Sequence, residues 1–528
     1  MAITKVTSSV LEDNITVAGN LDVSSGTIKL DGNYPTGIGN VALGDEALDA
    51  LTTGNNNIAV GGQALTSNTT GIENTALGRY TLFSNTTASN NTAVGYFSMA
   101  GNITGTQNVG IGAFALDANT TANNNTAVGY NALTANTTSL NNTAVGCQAL
   151  YTSNGGYNNT AVGSGAMLLT TTGVNNTAVG GSAMESNTTG YFNCAVGQGS
   201  LAYNTTGINN VAMGYQALLD NTTASNNTGI GYLALTNNTT GAENTAVGSL
   251  ALLSNTTGYL NVAMGLQSLD SNTTGTDNVA LGYNTLGVNT TGANNVAVGS
   301  SALGNNITSN NTAVGYNAGG SITTGRYGVY LGDNAASGLT TGTANIMIGF
   351  LASPYAADSN YNIVMGEQCK GVNVGGYDDD YTFTFGQGTG SNRVYNMFDV
   401  NASWTRVSDV RYKEEITDNT DCGLDFINDL RPVTFKWKPK ANIDSSLPDY
   451  NPEETERKYD GKMYGLIAQE VKEALDTHGI TDFGGWNEID DGINTISQEM
   501  FVHPLIKAVQ ELSAKNDALE ARIAALES

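Results

Sequence analysis

A mainly β fold, a parallel β-roll or β-helix solenoid of 17-residue coils, followed by an α+β domain that ends in a coiled-coil helix, is the fold class this sequence predicts. Three observations predict it. A short motif recurs at a nearly fixed step from about residue 37 to about residue 370, the composition changes sharply after residue 373, and apolar residues near the C-terminus alternate in steps of three and four.

The motif is Asn-x-Ala-Val-Gly or a close variant. Its Gly falls at Gly44, Gly61, Gly78 and so on to Gly299 in steps of 17; one step of 16 gives Gly315, and Gly332, Gly349 and Gly366 complete 20 copies. Positions below are counted from this Gly. In the first 16 copies position −4 is always Asn, position −1 is Val, Leu, Ile or Met, and position +4 is Leu or Met. Asn-Thr-Thr-Gly or a variant fills most of the remainder, as at Asn136-Thr137-Thr138.

Seventeen residues are too few for a stable helix pair, and the β-branched, Asn and Gly content disfavours helix. Each unit is expected to hold two short strands and two turns. One unit cannot bury its own apolar positions, so stacking must bury them, position −1 meeting position −1 of the next coil. The Asn at −4 is expected to form an inward or edge ladder of side-chain amides. The Gly marks a positive φ or a close backbone approach, and Asn-Thr-Thr-Gly supplies turn chemistry. At the usual strand spacing, 20 such coils make a rod of roughly 95 Å.

Composition narrows function. The chain has 528 residues, 12% of them charged, with 65 Gly and a net charge of −26. Nucleic acid is excluded as a partner, because phosphate binding needs a basic footprint. Cys147, Cys194, Cys369 and Cys422 have no CxxC spacing, so neither a zinc site nor a disulfide framework is expected, and no cofactor or metal is implied. No apolar run reaches membrane-span length. The N-terminus, MAITKVTSSVLEDNITVAGN, lacks a basic segment followed by an apolar one and does not read as a signal peptide. Acids are sparse across residues 37–370 and fall at unmatched repeat positions, against the paired carboxylates of a polysaccharide-cleaving spike. Tyr follows the Gly at Tyr96, Tyr130, Tyr215, Tyr232, Tyr283 and Tyr316. The plainer reading is a column of rings covering a turn; a surface for stacking on glycans is the alternative.

The repeat resembles the head repeats of trimeric bacterial adhesins and of many phage fibres. That resemblance implies a trimer of left-handed β-rolls.

Residues 379–407 alternate as strands around turns and read as a β neck or tip. Then comes Ser408-Asp409-Val410-Arg411-Tyr412-Lys413-Glu414-Glu415-Ile416, followed by Leu430-Arg431-Pro432-Val433-Thr434-Phe435 with Trp437, Tyr464-Gly465-Leu466-Ile467-Ala468-Gln469-Glu470-Val471, and Pro504-Leu505-Ile506-Lys507-Ala508-Val509-Gln510-Glu511-Leu512. These four elements, in this order, resemble the intramolecular chaperone domain of phage endosialidases and tail fibres, the peptidase S74 domain, over residues 408–528. Tyr412 stands where Leu is common in that family. The resemblance implies self-cleavage, with Ser408 as nucleophile, Lys413 as base and the cut at Ser408–Asp409. A Ser hydroxyl needs a base to become nucleophilic, and a Lys serves only when burial lowers its pKa. The ring sizes leave the bond open: attack by Ser408 on its own carbonyl closes a four-membered ring, whereas attack on Val407 closes a five-membered ring and cuts one bond earlier. His478 and His503 read as packing residues rather than catalytic ones.

Val502, Leu505, Val509, Leu512, Asn516, Leu519, Ile523 and Leu526 form a heptad seam with Asn516 as the polar register position. In an isolated coil this pattern favours a dimer; the attached β-roll and the family resemblance favour a homotrimer.

The domain reading is therefore a tail-attachment segment (1–36, with strand signals at 15–17 and 27–30), a solenoid shaft (37–372), a neck (373–407) and a self-cleaving chaperone (408–528) with a coiled coil at 502–527. The functional expectation is a phage tail fibre, assembled in the host cytoplasm and carried on the virion. It would bind a host cell-surface receptor, a glycan or outer-membrane component, and join phage tail proteins through its N-terminus. Its only enzymatic activity would be a single intramolecular serine autoproteolysis. A trimeric bacterial surface adhesin and a passive spacer fibre are the alternatives.

Overall fold

The computed structural model describes residues 38–371, 380–388, 393–397, 401–405, 419–445, 450, 452–456, 461–489 and 493–527. Ser408, Asp409, Lys413 and the strand signals at 15–17 and 27–30 lie outside the described residues. The chain divides into two compact units, on either side of residues 405 and 406.

The first unit is the solenoid. Each of the 20 motif copies contributes one three-residue strand, from β1 (Val41–Leu43) to β20 (Ile363–Met365), and consecutive strands pair in parallel. Register advances one repeat per strand, as in Thr143↔Thr160 and Ala144↔Ala161. The 16-residue step keeps this register, with Ala297↔Ala313. The lost residue is absorbed at the Asn-Thr-Thr-Gly corner, where the carbonyl of Thr308 accepts the bond from Asn295 Nδ2 at 2.7 Å.

Two expectations about the coil are corrected. The first is the strand count, one per coil rather than two. The opposite side of the coil is built on left-handed residues at +2 and +4, such as Gln63 (φ 60°) and Leu65 (φ 53°), with a third at +12, Glu73 (φ 59°). The bends these impose are too frequent for a second strand. Their amides still bond between coils: Gln63 N–H donates to Asp45 O at 2.7 Å, and Leu65 N–H to Thr81 O at 3.0 Å. Backbone hydrogen bonding thus continues around the coil without a second ladder.

The second correction concerns the core. Position −1 is not buried; the core is −2, +3 and +4, as in Ala59, Ala64 and Leu65. Side chains alternate across a strand. If Asn at −4 points inward, −2 must also, and −3 and −1 face outward together. The Gly at 0 matches its expectation. Gly95 has φ 127°, and a Cβ there would meet the Gly112 carbonyl carbon at 2.7 Å.

The inward Asn ladder at −4 exists, but it bonds mainly to backbone. Asn142 Oδ1 accepts the N–H of Asn159 at 3.0 Å, and Asn142 Nδ2 donates to Gly156 O at 2.9 Å. The amide-to-amide ladder lies at +7, within the stretch read as turn chemistry alone. There Asn85 donates to Asn68 at 3.0 Å, Asn102 to Asn85 at 2.9 Å and Asn119 to Asn102 at 2.7 Å.

One further parallel strand follows the 20 copies. β21 (Thr382–Gly386) pairs with β20, Ile363↔Phe383 and Met365↔Phe385, after a step of 20 residues. Thr382 N–H donates to Asn362 Oδ1 at 2.8 Å, so the −4 ladder continues into a Thr. β22 (Arg393–Met397) and β23 (Asn401–Thr405) then pair antiparallel. That reversal ends the parallel stack.

Candidate functional site

Among its described residues the second unit holds three α-helices and two two-stranded antiparallel sheets. In order these are α1 (Leu424–Asp429), β24 (Val433–Phe435), β25 (Met463–Gly465), α2 (Ala468–Thr477), β26 (Trp486–Ile489), β27 (Ile493–Ile496) and α3 (Val502–Glu527). Its core gathers Cys422, Phe426, Val471, Ala474, Leu475 and Phe501. Phe426 stacks on Phe501 at 6.5 Å and meets Phe483 at 5.9 Å.

The recurrent elements meet in space. β24 pairs antiparallel with β25 through Val433↔Gly465 and Phe435↔Met463. Just beyond this pair, the Arg431 guanidinium grips the Glu470 carboxylate with two nitrogens, Nε donating to Oε2 at 3.1 Å. The hydrogen bond from Arg431 holds the Glu470 carboxyl below the usual carboxylate range. The pair is exposed, so it orients the two segments more than it stabilises them. α3 is tied in by Glu511, whose Oε2 accepts the N–H of Leu424 at 2.8 Å. This carboxylate caps α1, whose N-cap Gly423 makes no side-chain cap bond.

α3 buries only one narrow face, through Pro504 and Ala508. The apolar seam residues Val502, Leu505, Val509, Leu512, Leu519, Ile523 and Leu526 are all exposed in a single chain. Asn516 among them donates to Glu520 at 3.3 Å. The seam does not stop at the helix. Val502 and Leu505 also line a groove of about 290 Å³ with Ile427, Leu430, Pro432 and Leu466. Tyr464 on β25 and Trp437, two residues past β24, are also exposed. His478 Nε2 lies 2.7 Å from Asp429 Oδ2 and edge-on to Phe426, whereas His503 is exposed and does not pack.

Residues 408–480 match the family model described as chaperone of endosialidase, peptidase S74. The match takes in α1, the β24–β25 pair and α2 of this chaperone module. A solenoid of 17-residue repeats followed by such a module fits a tail fibre with a C-terminal chaperone domain. No curated protein and no solved structure matches the chain. Among the described residues no helix is long and apolar enough to cross a membrane.

The solenoid carries a second candidate surface that sequence reasoning placed in the core. Positions −1 and −3 face outward, and −1 is apolar in every coil from Leu43 to Phe385. Leu77 is 47% exposed, Met264 44% and Phe385 44%. The signal that would have found this stripe is parity: two positions of a strand separated by one residue share a face, and −4 and −2 already claimed the inside. The Tyr column after the Gly is also on the surface, with Tyr215 and Tyr232 stacked at 5.6 Å.

Proposed function

We propose that the chain is a homotrimeric phage tail fibre that attaches the virion to the host surface. Residues 1–36 would join phage tail proteins, and the solenoid would form the shaft. The receptor would be a glycan or outer-membrane component of the host cell. The C-terminal module would align three chains and then release itself by cleavage at Ser408–Asp409, with Ser408 as nucleophile and Lys413 as base.

The observation that carries this reading is the outward-facing apolar stripe at position −1, repeated in kind by the seam on α3. Soluble monomers rarely leave so long an apolar strip in water. Copies of the same chain are its natural cover, because every copy presents the same strip at the same spacing. Three chains rather than two follow from the resemblance of the repeat to adhesin heads. A chaperone answers a specific difficulty. Slips by one whole coil are nearly isoenergetic for chains that repeat every 17 residues, so a separate module must set the register.

Two native thiols test the assembly. Cys194 sits at position −3 on the same outward face, and Cys147 at +1 is exposed beside the turn. Native mass measurement should give three chains. Cys147 should react with a thiol reagent in the assembly, and Cys194 only after dissociation. A stable monomer, or a Cys194 that reacts equally fast when assembled, overturns the trimer. On a denaturing gel the folded wild type should run as two pieces, and S408A and K413A as one. The mass of the smaller piece distinguishes the Ser408–Asp409 bond from the Val407–Ser408 bond, and an intact wild-type chain refutes self-cleavage.

A further inference from the structure

Position +2 is polar or small in most coils, with Gln63, Asn131, Gln148 and Ser182 as examples. In three consecutive coils it is aromatic: Tyr80, Phe97 and Phe114. Their backbones are left-handed, with φ of 58°, 57° and 58°. That conformation suits Asn and is poor for bulky residues. The fold therefore does not ask for these rings. They nevertheless form one continuous ridge. Tyr80 and Phe97 lie 4.7 Å apart, Phe97 and Phe114 stack at 5.8 Å, and Tyr96 meets Phe97 edge-on at 4.6 Å. Tyr130 extends the ridge from Phe114 at 6.3 Å, and both Tyr96 and Tyr130 are exposed.

Arg79 stands at the head of this ridge. It is the sole Lys or Arg between Lys29 and Arg326. Its guanidinium lies 4.6 Å over the Tyr80 ring and donates to the Tyr80 hydroxyl at 2.8 Å. Among the described residues no carboxylate pairs with it. A lone cation across residues 30–325 of an acidic chain, set on an aromatic ridge, is a departure with chemical content. Aromatic faces accept the C–H face of a sugar ring, and a planar guanidinium binds a carboxylate through two parallel hydrogen bonds.

We propose that Arg79, Tyr80, Tyr96, Phe97 and Phe114 form a binding site for an acidic glycan, a saccharide bearing carboxylates. The rings stack on the sugars, and Arg79 selects the charge. This deepens the attachment reading above by naming the class of receptor, and the two can fail separately.

The repeat supplies its own controls, because Gln and Ser already occupy these positions in other coils. The test compares the folded wild-type protein with R79S and with the triple variant Y80Q, F97Q, F114Q on an array of acidic and neutral bacterial polysaccharides. The wild type should be retained by acidic members, and their carboxyl-reduced forms should lose that retention. R79S should weaken it at least tenfold, and the triple variant should abolish it, both with an unchanged oligomeric state. Three results overturn the proposal: no acidic glycan retained, retention unaffected by either variant, or variants that dissociate the assembly, which would make the ridge a contact between copies. A wild type that binds host cells but no acidic glycan would sink this site alone; a wild type that binds neither would sink the attachment reading as well.

Discussion

Tyr330 occupies the space that Asn fills in the other motif copies, and Gly328 is what makes room for it. Gly328 replaces the Asn at −4, which the other 19 copies retain, and a Cβ there would overlap the Tyr330 hydroxyl. Gly319, in place of the usual Leu at +4 one coil earlier, clears the other side, since a Cβ on it would lie 2.7 Å from the Tyr330 ring. The three positions have changed together to keep the core filled.

That exchange is testable by its coupling. G328N alone should overpack the coil and cost about 1–3 kcal/mol. Y330A alone should leave a cavity and cost about 3–5 kcal/mol. The combination G328N, Y330A, G319L restores the common coil and should recover most of the loss, a non-additivity read from thermal unfolding of the shaft. The Tyr330 hydroxyl is buried without a hydrogen-bond partner, and burial pushes its phenol pKa well up. Y330F should therefore stabilise by about 1 kcal/mol.

The amide ladder at +7 is interrupted at Ser153 and Thr170. Their hydroxyls and the flanking Asn136 Oδ1 are buried without partners. Replacing both residues with Asn should rejoin Asn136 to Asn187. A gain of about 1–3 kcal/mol is expected, from new hydrogen bonds and relief of orphaned groups. An unchanged or lower melting temperature would show that the gap is filled in some other way.

The ladder at −4 should be costly to break. N142A leaves the Asn159 N–H and the Gly156 carbonyl without their Asn142 partners inside the coil. About 2–5 kcal/mol should be lost. N141A, one residue away on the exposed ladder, removes bonds to Asn124 and Asn158 in water and takes Asn from a left-handed backbone (φ 62°), so it should cost about 1 kcal/mol, less than N142A.

Asp117 offers a pH dependence. Burial raises its carboxyl above the ordinary range, although the Thr134 hydroxyl donates to it at 2.5 Å. Between its ordinary and raised values the folded state binds more proton than the unfolded state. Stability therefore falls as pH rises through that window, and the charged form remains a cost above it. D117N should melt higher than wild type at neutral pH, by less than about 1 kcal/mol because the group is only half-buried. The difference should shrink as pH falls into the carboxylate range, and a gap that widens on acidification would refute the assignment.

Glu511 should govern the start of α1. E511Q keeps an acceptor for the Leu424 N–H but loses the charge; E511A loses both. Hydrogen exchange over residues 424–427 of the full chain should quicken in E511A, with a local loss of about 1–2 kcal/mol, and less in E511Q. Equal protection in all three would mean that packing of Phe426 alone holds the helix.

The period and the positive-φ Gly were legible because they depend on local chemistry repeated 20 times, whereas each coil was read as holding two strands and holds one. Thr382–Gly386 was read as a strand of the neck and not as a further coil of the stack, because its step is 20 residues and its −4 residue is Thr. The chemistry expected of Ser408 and Lys413 was legible only through resemblance, since two side chains five residues apart carry no geometry of their own. The Arg431–Glu470 grip was not legible at all, because its partners are 39 residues apart.

The sequence by itself determined the repeat, the apolar identity of positions −1 and +4, and the seam on α3. It did not say which of those apolar positions a single chain buries. That was decided by the tertiary structure, where inward Asn at −4 sets the parity of each three-residue strand and turns −1 outward. A hydrophobic residue looks the same in a sequence whether its own chain covers it or another must. The two cases differ only in where the backbone points its Cβ, and that is fixed by hydrogen bonds between coils, not within them.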